Sequence, residues 1–548
     1  MNKYLIVVSF LFTLQIFAQD LKTTEVNVVE GFKVSVPQAD KLNQKASFQD
    51  TSKTDKTQEY SFIDKYIFTT FETRPLSAAK LKSKEEKKNN LGNINIATGN
   101  QKYRFGNLNY SGKLKQKIIY GVGVLFENYK YKTTNEDTVS KETFEFYLNT
   151  KSIFKAGILN SSLTINDVNE FHQFSAQQTP AKTYSTLLFT YNSREVKSDK
   201  LSHFTQLKIH DFNNQLENHI ALYSKLKKSF NNRPFEFSFQ FNNYINYKNK
   251  STNIVVDVTD VKTFDFNPNL IFEKNGFNID IGLNLAMEIE EETSVNFFPI
   301  IDVKKELVDN IVNLSFGIDR YDFRNTISSL TLENPYIHTP GINTSLEDSI
   351  GYFHDLRSTD VFESYVSLDN RLSSTEMLKF KLIYGKIINL HYFYFDQLTD
   401  LNRFKIDYIN SWRFLSNVNY FKKFNNVFSL NFSFEYRWLS KEVPYKPELL
   451  SSLEFPITFA KKIKIVPSIE YIGERKHRFI SGLSIEPPEV LYESLEELYL
   501  TKIKINYFYS EKLDFSISVN NILNQRVPYW FGYDKMGLNF NLSLNYIF

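Results

Sequence analysis

The chain of 548 residues contains no cysteine. Disulfides, thiolate metal sites and cysteine nucleophiles are therefore excluded, and so is lipid anchoring through an N-terminal cysteine. Beyond the first residues there is no apolar run of the ~18 residues that a helical span needs, and the mean hydropathy is −0.35. Charge of one sign is not in excess: the formal net charge is +3, which suits neither a nucleic-acid binder nor an acidic tail. Glycine and proline are modest at 18 and 15, and no glycine-rich phosphate loop is present. None of the eight histidines, His172, His203, His210, His219, His338, His354, His391 and His477, stands in a zinc-binding spacing. No motif supports catalysis, so the chain reads as a non-enzyme without a cofactor or metal.

What is present in quantity is aromatic surface: 51 Phe and 33 Tyr. A soluble protein would have to hide it, whereas a membrane barrel places it against lipid and in the interfacial girdles. The N-terminus supplies the address. Met1-Asn2-Lys3, an apolar run over residues 4–17 and Ala18-Gln19 form a secretory signal peptide, residues 1–18. Residues 19–90 are polar and mostly aperiodic, with a charge run over 80–90. They read as an extended periplasmic or luminal arm with one short strand at 25–36.

From residue 91 to 548 the chain alternates. Phe235, Phe237, Phe239 and Phe241 are interleaved with Glu236, Ser238, Gln240 and Asn242. Ile279, Ile281, Leu283 and Leu285 alternate with Asp280, Gly282, Asn284 and Ala286, and Phe428 to Trp438 repeats the pattern with Ser429, Asn431, Ser433, Glu435 and Arg437 between the apolar residues. A period of two gives each strand one apolar and one polar face. The expected fold is all-β: a transmembrane antiparallel barrel of about 22 strands with a short N-terminal periplasmic arm. Short polar breaks such as Asn100-Gln101, Lys274-Asn275-Gly276 and Asp309-Asn310 read as periplasmic turns. Residues 133–141, 175–182, 326–359 and 473–496 read as extracellular loops. Glu288, Glu290, Glu291 and Glu292 read as a solvated strand end rather than a cation site.

The last strand alternates Leu538, Phe540, Leu542, Leu544, Tyr546 and Phe548 with Asn, Ser and Ile. Leu544, Tyr546 and the terminal Phe548 are the expected assembly signal, because a free edge with a defined apolar face can pair with an insertion machine before closure. Upstream, Val519-Asn520-Asn521-Ile522-Leu523-Asn524-Gln525-Arg526 resembles the turn near the end of TonB-dependent receptor barrels. Trp530-Phe531-Gly532-Tyr533, Gly537 and the closing strand continue the resemblance. Its asparagines suit left-handed turn positions. Ala18-Gln19, the abundance of Asn, Lys, Phe and Tyr, residues 25–32, and the stretch from Phe297-Phe298-Pro299 to Asn334-Pro335-Tyr336 are similar to receptor-like barrels of Bacteroidota type. The resemblance implies a plug of well over a hundred residues, yet residues 19–90 are too few for one. Glu25, Val26, Asn27, Val28 and Val29 form a TonB-box-like or partner-binding segment, with a short structural strand as the other reading.

Two functions follow. One is a transport barrel or receptor for an unidentified substrate. The other is a plugless scaffold in a larger outer-membrane insertion or export complex. The expected partners are outer-membrane lipid, the insertion machinery during biogenesis, and other outer-membrane or periplasmic proteins, with no nucleic acid. The expected location is the cell outer membrane.

Overall fold

The computed structural model describes residues 92–114, 117–174, 181–193, 201–212, 217–230, 233–246, 260–337, 356–396, 402–481 and 489–548. The signal peptide, the arm and Glu25 to Val29 lie outside the described residues.

Strict alternation produces twenty-five strand segments, three of which continue a neighbour across a two-residue break, so the wall has 22 strands. The first half runs β1 Gly92–Gly99, β2 Arg104–Leu114, β3 Ile118–Lys132, β4 Thr138–Ile153, β5 Gly157–His172, β6 Lys182–Ser193, β7 Ser202–Phe212, β8 Glu217–Phe230, β9 Arg233–Asn246, β10 Val261–Lys274 and β11 Phe277–Ile289. The second half runs β12 Thr293–Val308, β13 Val312–Arg324, β14 Ser358–Ser373, β15 Glu376–Asp396, β16 Phe404–Lys423, β17 Ser429–Leu439, β18 Leu449–Glu454 with Ile457–Phe459, β19 Ile463–Ile472 with Arg475–Ser481, β20 Glu489–Leu495 with Leu498–Phe508, β21 Leu513–Asn520 and β22 Asn539–Ile547. Each pairs antiparallel with the next. β1 closes the ring on β22, from Asn93↔Ile547 to Gly99↔Asn541. Beyond the ladder, Phe548 N donates to the Gly92 carbonyl at 2.9 Å and Gly92 N to the Phe548 carbonyl at 3.1 Å.

The two faces are chemically distinct. Ile94, Ile96, Leu108, Phe144, Leu148, Ile281, Leu285, Ile517 and Leu542 are exposed on the outside, the band that lipid covers. Among the described residues no helix is long and apolar enough to cross a membrane. The inner face is polar and bonded to itself. Asn109 Nδ2 donates to Asn93 Oδ1 at 3.0 Å, Asn431 Nδ2 to Glu454 Oε2 at 3.0 Å, and Ser433 and Ser452 meet at 2.7 Å. Side chains lie across strands where the facing residue is glycine: a Cβ on Gly123 would strike the Tyr147 ring. A closed barrel with an apolar outer band and a polar interior is a protein of the cell outer membrane.

Gly92 and Phe548 share one end with short turns. At Asn275 and Gly276, for example, φ is 53° and 74°, the left-handed pair of a tight hairpin. Short turns mark the periplasmic end and long connections the outer end. On that basis Asn100-Gln101 sits in a short turn at the outer end, not the periplasmic one. The expected loops also need correction. Strand resumes at Thr138 within 133–141, and 473–496 carries the hairpin Arg475–Ser481 with Glu489–Leu495, whose backbone pairing runs from Arg475↔Leu495 to Ser481↔Glu489. Residues 326–359 begin with a helix, α1 Ile327–Glu333.

Candidate functional site

The outer end of the lumen is where the sequence stops alternating and the side chains stop facing water. Among the described connections, residues 325–337, after β13, and residues 521–538, between β21 and β22, enter it, with Tyr445 of the connection after β17 buried beside them.

The first is shaped by local signals. Thr326 caps α1, accepting from Ser329 N at 3.1 Å while Ser329 Oγ accepts from Thr326 N at 2.9 Å, a reciprocal capping box. Ile327 and Leu330, three apart, put one apolar face inward and are buried. Tertiary contacts then fix the segment. The Glu217 carboxylate at the start of β8 accepts from Ile327 N at 2.7 Å and Ser328 N at 3.3 Å, and so satisfies helix donors that have no partner within the helix. His210 Nε2 on β7 lies 2.9 Å from Ser328 Oγ. Lys182 on β6 donates to the Pro335 carbonyl at 2.6 Å, and Tyr336 Oη donates to Glu170 on β5 at 3.2 Å. On the other side, His391 Nε2 on β15 lies 2.6 Å from Glu333 Oε2, and Lys446 pairs with Glu333 Oε1. Phe404 N at the start of β16 donates to the Tyr336 carbonyl at 3.1 Å. Strands β5 to β8 and β15 to β16 stand on opposite arcs of a 22-strand ring. A segment that touches both arcs crosses the mouth.

The second connection begins with the asparagine cluster. Asn521 and Asn524 have φ of 51° and 53°, the left-handed region that asparagine tolerates. Asn521 Nδ2 donates to the Gln525 carbonyl at 2.6 Å and to the Met536 carbonyl at 2.9 Å, and Asn524 Oδ1 accepts from Leu538 N at 2.8 Å. These bonds staple the two ends of the loop and aim its tip inward. Trp530 before the turn and Tyr533 after it are both buried. Gly532, at φ 78°, is pressed against Phe174, whose ring a Cβ would strike. Tyr533 donates to the Asn402 carbonyl at 2.6 Å, and Tyr131 on β3 donates to the Asp534 carbonyl at 2.9 Å.

The two connections join each other. The Tyr336 and Tyr533 rings stack with centroids 3.6 Å apart. Trp530 packs on Phe393, Phe404 and Tyr445, and Phe531 stacks on His477 at 4.2 Å. The buried cluster runs from Tyr184 and Phe212 on one arc to Phe393, Phe395 and Phe404 on the other. It is an aromatic core built across a polar lumen.

Electrostatics set its edge. Burial pushes the Glu333 carboxyl up, but the hydrogen bond to His391 and the charge of Lys446 outweigh that and hold it down at about 2. Burial, helped by the nearby Arg475, pushes the Lys535 ammonium down. Arg475 is buried with its guanidinium over the Tyr529 ring at 5.1 Å, donating to the Glu496 carbonyl at 2.7 Å and to the Pro528 carbonyl at 3.5 Å.

Beside the start of residues 325–337 lies a polar cavity of about 400 Å³. Arg320 there donates to Asn284 Oδ1 at 2.7 Å and pairs with Asp322 at 3.0 Å and with Asp360. Arg324 pairs with Glu288 at 3.3 Å and Glu290 at 2.9 Å. The acidic strand end is therefore not simply solvated, because two of its carboxylates neutralise a buried guanidinium. A second cavity, about 670 Å³, follows the inner wall past Asn419, Ser433, Ser452, Glu454, Lys502 and Asn520.

The wall and its strand number occur in other proteins. Three solved outer-membrane receptors share this fold. The copper transporter OprC is 9% identical, with a TM-score of 0.60 over 83% of this chain and 80% of that one. A mutant of the ferric enterobactin receptor PfeA of Pseudomonas aeruginosa is 10% identical, with 0.59 over 83% and 80%. The FrpB iron transporter of Neisseria meningitidis (F3-3 variant) is 9% identical, with 0.60 over 84% and 81%. All are TonB-dependent receptors, with the 22-strand barrel seen here. No family model matches the sequence, and no curated protein matches it.

Of the site residues expected from sequence, Leu544, Tyr546 and Phe548 lie on or just beyond β22, at the seam with β1. The aromatic turn that carries the family resemblance, Trp530-Phe531-Gly532-Tyr533, lies in the buried cluster at the outer end of the lumen. Sequence reasoning missed the helix, although Thr326, Ile327, Ser329 and Leu330 carry a cap and a three-residue spacing that signal one. It also missed Glu217, Phe404 and Arg475, which no local pattern marks. His172, His210, His391 and His477, in no metal spacing, all converge on the two connections.

Proposed function

We propose that the protein is a non-enzymatic outer-membrane transport barrel or receptor of TonB-dependent-receptor type, from a Bacteroidota-like source. It is made with a cleaved signal peptide, residues 1–18, and an arm, residues 19–90, in place of a regular plug. The observation that carries this reading is the lumen: a wide, polar-walled conduit whose outer end is shut by the chain's own connections. Glu25 to Val29 is the segment offered to TonB or another periplasmic partner, by strand addition. Leu544, Tyr546 and Phe548 form the edge read by the insertion machinery. The structural relatives carry copper or iron compounds by their names, so a metal complex is the first cargo class to try.

A scaffold role is the second reading, favoured by one feature. The mouth is filled with a core as dry as that of a soluble domain, which suits a barrel meant to stay sealed. Purification from detergent-solubilised outer membranes separates the two. A lone barrel that conducts in planar bilayers once residues 20–85 are removed in a Trp530→Ala background, which loosens the outer closure, supports transport. A stoichiometric complex with other membrane proteins, and no conductance after the same changes, overturns transport in favour of the scaffold.

A further inference from the structure

We infer that residues 325–337 and 521–538 move as one lid over the outer mouth, with its stem fixed at Asn325 and its latch at Glu333. The inference rests on the conduit reading for its purpose, but not for its test.

The contacts divide by strength. At the stem, Asn325 Nδ2 donates to the Arg357 carbonyl at 2.8 Å and to Thr359 Oγ1 at 2.8 Å, and Thr359 in turn donates to the Asn389 carbonyl at 2.7 Å. Both Asn325 and Thr359 are buried, so water cannot substitute for these bonds as they break. Glu217 holds the helix start in the same dry setting. At the far end of α1 the arrangement changes. Glu333 keeps 36% of its side-chain exposure, and its two partners come from separate wall elements, His391 on β15 and Lys446 in the connection after β17. His391 and Lys446 are themselves only 10% and 21% exposed, so the pairing is firm, but Glu333 stays open enough that water can take over its bonds as they break, which the stem does not allow. The lid therefore has a permanent end and a releasable end, seven residues of helix apart.

Release at Glu333 reaches the rest of the lid through rings. The Tyr336–Tyr533 stack joins the two connections, and Phe404 takes part in both, through the Tyr336 carbonyl and the Trp530 ring. Neither half can leave the mouth while the other stays without exposing a stacked tyrosine. Packed aromatic interfaces of this sort are bistable rather than gradually deformable.

The absence of cysteine makes the test clean. Thr331 is 1% exposed and its neighbour Leu332 is 65% exposed. Thr331→Cys and Leu332→Cys, each expressed alone in intact cells, are treated with a membrane-impermeant maleimide, and barrel folding is checked by heat-modifiable migration. Leu332→Cys should label quickly, and Thr331→Cys about tenfold or more slowly, as a locally protected site does. Adding Glu333→Ala to Thr331→Cys should raise its labelling severalfold, and Lys446→Ala should raise it less, because the His391 contact to Glu333 remains. Equal labelling of the two single variants overturns the closed lid. Folded double variants that leave Thr331→Cys protected overturn the latch. Increased labelling without any bilayer conductance, when residues 20–85 are removed as well, overturns the conduit reading and leaves the lid standing.

Discussion

The wall and the lid are made from the same composition by opposite rules. Across the middle of the wall most Phe and Leu residues look outward and most Asn, Ser and Glu residues inward, and the partners are a strand away. Phe239 meets Phe266 and Phe241 meets Phe264 on the lipid side, while Asn242, on the inside, contacts His219 and Thr263. In the lid the aromatic residues look inward. Trp530 and Tyr533 meet Phe393 and Phe404, which point inward from the outer ends of β15 and β16, in the space that the wall encloses. Lipid replaces the core in one region, and the lid must provide its own in the other. The wall is thus stabilised by backbone pairing in a closed ring, the lid by side-chain packing between distant segments.

Substitutions that remove packing should separate the two regions most sharply. Trp530→Ala deletes the ring that Phe393, Phe404 and Tyr445 share, and a buried Trp truncation costs ~3–5 kcal/mol. The cost should fall on the lid alone: cells become sensitive to large antibiotics while the amount of heat-modifiable barrel stays constant. Loss of inserted barrel would show that the lid is part of the fold of the wall.

On the wall the charge test should be face-specific. Phe432→Arg should destabilise insertion by ~2–4 kcal/mol near the midplane, whereas Ser433→Arg, on the luminal side beside Ser452, should be tolerated. Quantifying folded and unfolded bands for both variants checks this, and equal damage contradicts the assigned faces.

A smaller effect is expected at the loop staple. Asn524→Ala loses the acceptor for Leu538 N and places a Cβ-bearing residue without a polar side chain at φ 53°, a cost of roughly 1–2 kcal/mol. Thermal melting of the purified barrel should show a lowered first transition, from the lid, with the final transition unmoved.

The smallest is a pH effect at the latch. The Glu333 carboxyl is depressed in the folded protein, so its contribution is complete above the usual carboxylate range and is lost as pH falls through about 2. Labelling of Thr331→Cys, corrected for the intrinsic thiol rate with Leu332→Cys, should not rise between about pH 8 and about pH 5, since Glu333 keeps its charge and any protonation of His391 only tightens the pair. A rise at the lower end of that range would show that Glu333 is not held by His391 and Lys446.

Much of the wall was legible because its information is local. A side-chain period of two assigns faces without reference to any distant residue, and length divided by strand-plus-turn gives the number of strands. Asn521 and Asn524 could be read as left-handed turn residues for the same reason: the side chain bonds to its own neighbourhood. Breaks were harder to assign to an end. Asn100-Gln101 looks like any other polar pair, and only the closure of β1 on β22 places it outside. The stretch 473–496 looked like a loop because its charged residues hide the alternation, yet pairing from Arg475↔Leu495 to Ser481↔Glu489 makes it strand.

The sequence by itself determined an outer-membrane barrel of about this size, its lipid-facing and luminal faces, and the turn chemistry before its last strand. Tertiary structure alone decided which segments cross the outer mouth and what they meet there. Glu217 reaches the helix start across 110 residues of chain, and Asp534 accepts from Tyr131 across 403. Contacts at such separations leave no period in the sequence. They exist only because ring closure brings β5 to β8 and β15 to β16 to face one another across a lumen narrow enough for one helix and one aromatic loop to span.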